Sequence, residues 1–232
     1  MYLNKLNQNT IIKLENAGIE KREARIETEI LLNHVFEITK KDLILNPEKP
    51  LPSDKIEIFN KFVDRRIKEK IPVQYLTNKA FFMGKEFYVD GNVLIPRPET
   101  EILVEEILCH CEQSDAIQKI IDIGTGTGCI AIMLALNLPN AEVYASDISE
   151  KALEIARFNA KKLELESKIS FLNSDIFKNI DNKEKFDIIV SNPPYISVDE
   201  KPELQREVAL HEPHAALFTE DKNGVSFYEK LI

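Results

Sequence analysis

Apolar positions along residues 1–72 recur at helical spacing. Ile56, Phe59, Val63 and Ile67 fall at i, i+3, i+7 and i+11, one stripe of a helix that starts near Ser53 and is stopped by Pro72. Ala24, Leu31 and Val35 mark an earlier helix, preceded by a break at Gly18. The charged run Arg65-Arg66-Ile67-Lys68-Glu69-Lys70 reads most simply as the solvated face of the later helix, and more sharply as a contact for a partner. From Pro72 the period changes. The runs 81–89 and 93–95 are separated by the turn residues Asp90-Gly91-Asn92, which predicts a hairpin-like connector. Pro96-Arg97-Pro98-Glu99-Thr100-Glu101 then opens a helix. Pro98 suits its first turn, and acids there complement the helix dipole. Arg97 and Glu99 are candidates for the mouth of a ligand site.

Beyond this point strands and helices alternate. Residues 119–123 read as a strand, 129–136 as a helix, and 141–146 as a second strand that ends at Asp147. A helix follows from Lys151, a third strand spans 169–172, and the β-branched run 186–191 reads as a central parallel strand. The alternation predicts an α/β fold with a doubly wound parallel sheet. Three regions are expected: a helical domain over 1–72, a hairpin connector over 73–97, and the sheet domain over 98–232.

The candidate chemistry sits where those strands end. The fourth runs into Asn192-Pro193-Pro194-Tyr195. Two prolines have no N–H to donate, so the ladder stops and the strand end becomes a rigid loop. Asn192 offers an amide oxygen, Pro193 a backbone carbonyl, and Tyr195 a flat wall. Two acceptors beside an aromatic face suit a planar –NH2 group. The plain alternative is a strand-ending turn. The first strand runs from Asp122 into Gly124-Thr125-Gly126-Thr127-Gly128. A dinucleotide fingerprint would put its third glycine at position 129, which is Cys129. The spacing G-x-G-x-G after an acidic strand end is instead the pattern of S-adenosylmethionine sites. The chain has only 7 glycines, and three fall in these five positions, so glycine is concentrated where the backbone must turn unusually. Asp147 lies 19 positions past Gly128, where an acidic residue can accept from ribose hydroxyls; a helix N-cap is its alternative. After the third strand, Asp175 could accept from an adenine amine and Ile176 could pack on the ring, or both could belong to a surface turn.

Composition narrows the partners. A formal net charge of −9 repels phosphate backbones and counts against direct DNA binding. No apolar run reaches the length of a membrane span, so no membrane association is expected. Cys109, Cys111 and Cys129 make an odd set without framework spacing, which fits free thiols in a reducing cytoplasm. Cys109 and Cys111 would face different sides of a helix and lack a second pair, so no metal is expected.

Together these residues resemble the peptide chain release factor glutamine methyltransferases, the HemK or PrmC type. The resemblance runs through Pro72-Val73-Gln74-Tyr75-Leu76, Ile95 to Glu101, Asp122 to Gly128, Ser191 to Ile196 and Glu212-Pro213, in order. It implies a Rossmann-like methyltransferase domain behind a helical substrate-recognition domain, with S-adenosyl-L-methionine as methyl donor. The implied substrate is the glutamine of the Gly-Gly-Gln motif of release factors. Cofactor contacts are expected on Gly124, Thr125, Gly126, Thr127, Gly128, Asp147, Ile176 and Asn192. Substrate contacts are expected on Asn192, Pro193, Pro194 and Tyr195, with Asn192, Pro193 and Tyr195 serving catalysis. Asn-Pro-Pro-Tyr alone is shared with adenine-N6 methyltransferases acting on nucleic acid, which remain the main rival; a binding remnant without activity is another. The family's sheet has seven strands. Four are counted by Ser191 and 37 residues follow Tyr195, so the last strands are expected to be missing.

Overall fold

A computed structural model describes residues 1–112, 117–219 and 224–231. They divide into two units, Met1–Thr77 and Asn78–Ile232.

The first unit is helical: α1 (Leu3–Asn16), α2 (Lys21–Phe36), α3 (Lys40–Leu45), α4 (Ser53–Lys68) and α5 (Val73–Thr77). Leu3, Leu14, Leu31, Leu32, Phe59 and Val63 form its dry centre. The stripe expected from Ile56 to Ile67 therefore does face a core, though Ile56 and Ile67 sit at its margin. α3 escaped the periodicity reading because it is six residues long and buries none of them; a capping box between Thr39 and Asp42 marks its start. The charged run at the end of α4 is not all solvated face. Arg66 is fully buried, and its Nε lies 2.9 Å from both carboxylate oxygens of Glu27 on α2. It stands three residues after Val63 and seven after Phe59, on the buried stripe, where a charge persists only with a partner.

The second unit opens with a hairpin, β1 (Ala80–Phe82) and β2 (Lys85–Phe87), paired antiparallel. Its turn falls at Met83 and Gly84, with φ of 46° and 73°, not at Asp90-Gly91-Asn92. Two consecutive left-handed residues match the twist of a tight hairpin. Asp90 instead makes a local turn in which its Oδ1 accepts from the Asn92 N–H at 2.8 Å. α6 (Pro98–Glu112), β3 (Lys119–Ile123), α7 (Cys129–Asn137), β4 (Glu142–Asp147), α8 (Glu150–Lys162), β5 (Ile169–Asn173) and β6 (Ile188–Ser191) follow. The four strands form one sheet, ordered β5-β4-β3-β6, and every pair is parallel. α7 is buried continuously from Cys129 to Ala135, as expected of a helix packed into an α/β core.

β6 differs from its expectation. It begins at Ile188; just before it, the Asp187 N–H donates to the Lys119 carbonyl at 2.8 Å and the Asp187 carboxylate accepts from the Gln118 and Lys119 N–H groups at 2.9 and 2.8 Å. Among the described residues β6 is an edge, not a central strand, and Ile189 is 45% exposed. The chain continues through β7 (Ile196–Ser197), α9 (Arg206–His211), α10 (His214–Leu217), β8 (Phe218–Thr219), which pairs with β7, and α11 (Ser226–Glu229).

Candidate active site

The sheet register fixes where the candidate residues meet. Ile123 lies opposite both Ser146 and Ser191, and Asp147 opposite Asn173. The four strand ends are thus level, and Gly124, Asp147, Ser174 and Asn192 emerge along one edge. The chain runs from β3 outward to β4 and β5, then returns to the other side of β3 with β6. That reversal opens a crevice between β3 and β6, the position where open parallel sheets bind ligands.

The glycine loop is held from below. The Gly124 and Thr125 N–H groups donate to the Ser146 carbonyl at 2.8 and 2.9 Å. Asp122 is fully buried; its Oδ2 accepts from Thr125 Oγ1 at 2.6 Å and from the Ala131 N–H at 3.3 Å. Burial pushes the Asp122 carboxyl up to about 7, and the negative Asp147 adds to the rise, against the lowering effect of the Thr125 and Ala131 hydrogen bonds. Its Oδ1 is buried and has no protein partner among the described residues. Gly124, Gly126 and Gly128 all adopt left-handed φ. Their surroundings differ. A Cβ on Gly128 would stand 3.0 Å from the Ala156 Cβ of α8, whereas a Cβ on Gly124 would meet nothing within 4 Å. Gly128 serves helix packing; Gly124 and Gly126 leave backbone open to a ligand.

Asp147 joins the loop to the second strand end. One carboxylate oxygen accepts from the Gly126 N–H and the other from the Ser149 N–H, both at 2.9 Å. The N-cap of α8 is Ser149, whose Oγ accepts from the Ala152 N–H, so the cap alternative for Asp147 is replaced by a staple across two loops. Burial raises the Asp147 carboxyl above its ordinary range, against the lowering effect of those backbone bonds. Beside it, Asp175 is exposed and Ile176 half-buried. Ile176 holds φ of 53°, a conformation that β-branched residues rarely adopt and that concentrates at functional sites.

The other wall carries Asn-Pro-Pro-Tyr. Ser191 Oγ donates to the Ile123 carbonyl at 2.6 Å, pinning the end of β6 to β3. Asn192 Nδ2 donates to Thr100 Oγ1 on α6 at 3.0 Å. Pro193 is buried, and Tyr195 is 58% exposed. Asn192, Pro193 and Tyr195 border a cavity of about 240 Å³ together with Leu94 and Arg97. Arg97 Nη2 bonds Glu212 Oε1 at 2.6 Å, and the Glu212 side chain is essentially inaccessible. Burial raises the Glu212 carboxyl above its ordinary range, opposed by the Arg97 charge. Glu99 is exposed and is not among the residues that border this cavity. Gly224 packs on the Tyr195 carbonyl so closely, with φ of 69°, that a Cβ would collide with it.

The residues that position this wall were only partly visible in the sequence. Arg97, Thr100 and Glu212 all lie in motifs that stand out there, but their partners are 115 and 92 residues apart. Spacing carries no signal over such separations.

A parallel sheet with a glycine loop after its first strand, an acidic residue at its second and Asn-Pro-Pro-Tyr across the crevice defines an S-adenosylmethionine-dependent methyltransferase. Two family models match the chain: the PrmC N-terminal domain over residues 6–77 and the methyltransferase small domain over residues 99–216. The release factor glutamine methyltransferase of Flavobacterium psychrophilum is 45% identical over 87% of this chain and 70% of its own length. That of Leptospira interrogans is 39% identical over 96% of this chain and 78% of its own. A bifunctional methyltransferase of Rickettsia bellii is 39% identical over 93% of this chain but only 42% of its own length. The chain belongs to the release factor glutamine methyltransferase family.

Proposed function

We propose that this chain transfers a methyl group from S-adenosylmethionine to the side-chain amide nitrogen of the glutamine in the Gly-Gly-Gln motif of peptide chain release factors. The observation that carries the reading is Asn192: its Nδ2 is engaged by Thr100, which leaves Oδ1 as an acceptor, and it borders the same cavity as Pro193.

The donor fits the residues present. Gly124 and Gly126 offer backbone with no side chain in the way, Asp147 would accept from ribose hydroxyls, and Ile176 would pack on the adenine. When bound, S-adenosylmethionine supplies a methyl group activated by its sulfonium charge. An amide nitrogen is a poor nucleophile because its lone pair is delocalised into the carbonyl. Asn192 Oδ1 and the Pro193 carbonyl would accept its two N–H bonds, which holds the nitrogen in place and stabilises the positive charge that develops on it. Tyr195 would flank the amide plane. The extra proton leaves for solvent after transfer, so no strong base is required. The helical region 1–72 would recognise the release factor, residues 73–97 would connect it, and residues 98–232 would carry the chemistry. Release factors are cytoplasmic partners, consistent with free Cys109, Cys111 and Cys129. Among the described residues no helix is long and apolar enough to cross a membrane.

The test is radiolabelled methyl transfer to three substrates: intact release factor, the same factor with its Gly-Gly-Gln glutamine replaced by alanine, and duplex DNA. Label on the intact factor alone is expected. Label on DNA with none on the factor would transfer the site to the adenine-N6 reading.

A further inference from the structure

Glutamine methylation needs one particular end of Asn192. A carboxamide presents an oxygen that accepts and an NH2 that donates. Only the oxygen can hold the N–H of an incoming amide. Half a turn about χ2 would set NH2 against NH2 and remove the acceptor from the site, and a free asparagine side chain has little preference between the two.

In the structure one of the two ends is engaged. Asn192 Nδ2 donates to Thr100 Oγ1 at 3.0 Å. Thr100 is 6% exposed, in the first turn of α6, and its N–H donates to the Arg97 carbonyl at 3.0 Å. Residues on both sides of it are anchored. Arg97 is tied to Glu212, and Glu101 Oε1 accepts from the Met83 N–H at 2.6 Å, at the turn of the β1–β2 hairpin. The hydroxyl is therefore delivered from a fixed element to a side chain that borders the cavity, the arrangement that gives a reacting group a defined orientation.

We propose that Thr100 is a positioning residue: its hydroxyl oxygen holds the NH2 end of Asn192, so that Oδ1 is the end offered to the substrate amide. The proposal rests on the glutamine-methylation reading for its consequence, but not for the contact itself. In this role Thr100 acts through Asn192 rather than on substrate or donor.

The variants are Thr100→Val, which keeps the shape and removes the hydroxyl, and Thr100→Ser, which keeps the hydroxyl. Each is made alone and with Asn192→Ala. With release factor as substrate, Thr100→Val should lower kcat roughly ten-fold, as expected for one lost hydrogen bond. KM for S-adenosylmethionine should not change, and Thr100→Ser should restore most of the rate. In the Asn192→Ala background, Thr100→Val should cost nothing further, because the two act as one unit. Unchanged kcat in Thr100→Val, or an equal loss in both backgrounds, overturns the proposal. A second measurement needs no turnover. In protein labelled with 15N-asparagine, the Asn192 side-chain NH2 should exchange slowly with solvent in wild type and Thr100→Ser, and fast in Thr100→Val. Equal exchange in all three shows that Thr100 does not hold the NH2, and overturns the proposal on its own. If protection follows the hydroxyl while wild type leaves release factor unlabelled, the methylation reading falls and the contact stands.

Discussion

The two walls of the crevice are built differently. The glycine-loop wall is local: Asp122 accepts from Thr125 and Ala131, both within ten residues, and the Ser146 carbonyl and the Asp147 carboxylate close the loop from the next strand. Most of its bonds involve backbone. The Asn-Pro-Pro-Tyr wall is assembled from afar by side chains, Arg97 to Glu212 and Asn192 to Thr100. A wall of the first kind tolerates loss of one side chain, because the loop keeps its other ties. A wall of the second kind depends on single contacts, so single substitutions there should act more strongly and more selectively.

The largest effect is expected at Asn192. Asn192→Ala should lower methyl transfer to release factor by roughly 10²–10³, the usual loss on removing one preorganised acceptor or donor at a reacting centre. Binding of S-adenosylmethionine should suffer far less. Single-turnover assays together with calorimetry separate the two; a variant with wild-type rate removes Asn192 from the chemistry.

Arg97→Ala should come next, by destabilising the fold. It leaves the Glu212 carboxylate buried without its cation, which costs about 3 kcal/mol. Burial raises the Glu212 pKa, so around the ordinary carboxylate range the folded state holds its proton more tightly than the unfolded chain does. Stability from this group is present at low pH and is lost as pH rises through the folded pKa. Without Arg97 to oppose the rise, that loss should deepen. Melting curves from pH 4 to 8 should show Arg97→Ala falling further behind wild type as pH rises, and Arg97→Ala/Glu212→Gln recovering part of the gap. Parallel curves for wild type and Arg97→Ala would show that the pair carries little.

The same contrast governs what could be read from the sequence. β3, the glycine loop and α7 follow one another without interruption, so period, glycine spacing and apolar content name them together. Asp147 was recognisable at its distance from the loop, but its bonds to Gly126 and Ser149 depend on the parallel register of β3 and β4. Turn composition located a real turn at Asp90-Gly91-Asn92, yet the hairpin reverses at Met83-Gly84, where tertiary packing holds a methionine in a left-handed conformation. Arg66 read as solvated because charge dominates a local reading; its burial requires Glu27, 39 residues earlier. Thr100 and Glu212 lie in visible motifs, but their partners exist only once the sheet has formed.

Within the local wall, the glycines divide into two kinds, and substitution should separate them. Gly128→Ala adds left-handed strain of about 1–2 kcal/mol and forces apart α7 and α8, where the new Cβ would lie 3.0 Å from Ala156 and 3.1 Å from Ile132. Gly124→Ala carries the strain alone, since its Cβ would point into open space. Gly128→Ala should therefore lower the melting temperature more, whereas Gly124→Ala should weaken S-adenosylmethionine binding more relative to its effect on stability. The reverse ranking would mean that Gly124, not Gly128, is the packing glycine.

The smallest effect is expected at Asp147, because its wall has other ties. Asp147→Ala removes the acceptor for the Gly126 and Ser149 N–H groups and any acceptor for ribose hydroxyls. Hydrogen bonds to a charged group are worth about 1.5–3 kcal/mol each, but solvent and the Ser146 carbonyl still support the loop. S-adenosylmethionine binding should weaken roughly ten-fold, with a modest drop in melting temperature. Asp147→Asn keeps one oxygen and should fall between wild type and alanine on both measures. Burial raises the Asp147 pKa, and only the ionised carboxylate accepts on both oxygens, so wild-type affinity should strengthen as pH rises through that pKa. The alanine variant should show no such rise. Calorimetric affinity that is unchanged in Asp147→Ala, alongside a lowered melting temperature, would make Asp147 a staple of the loop and nothing more.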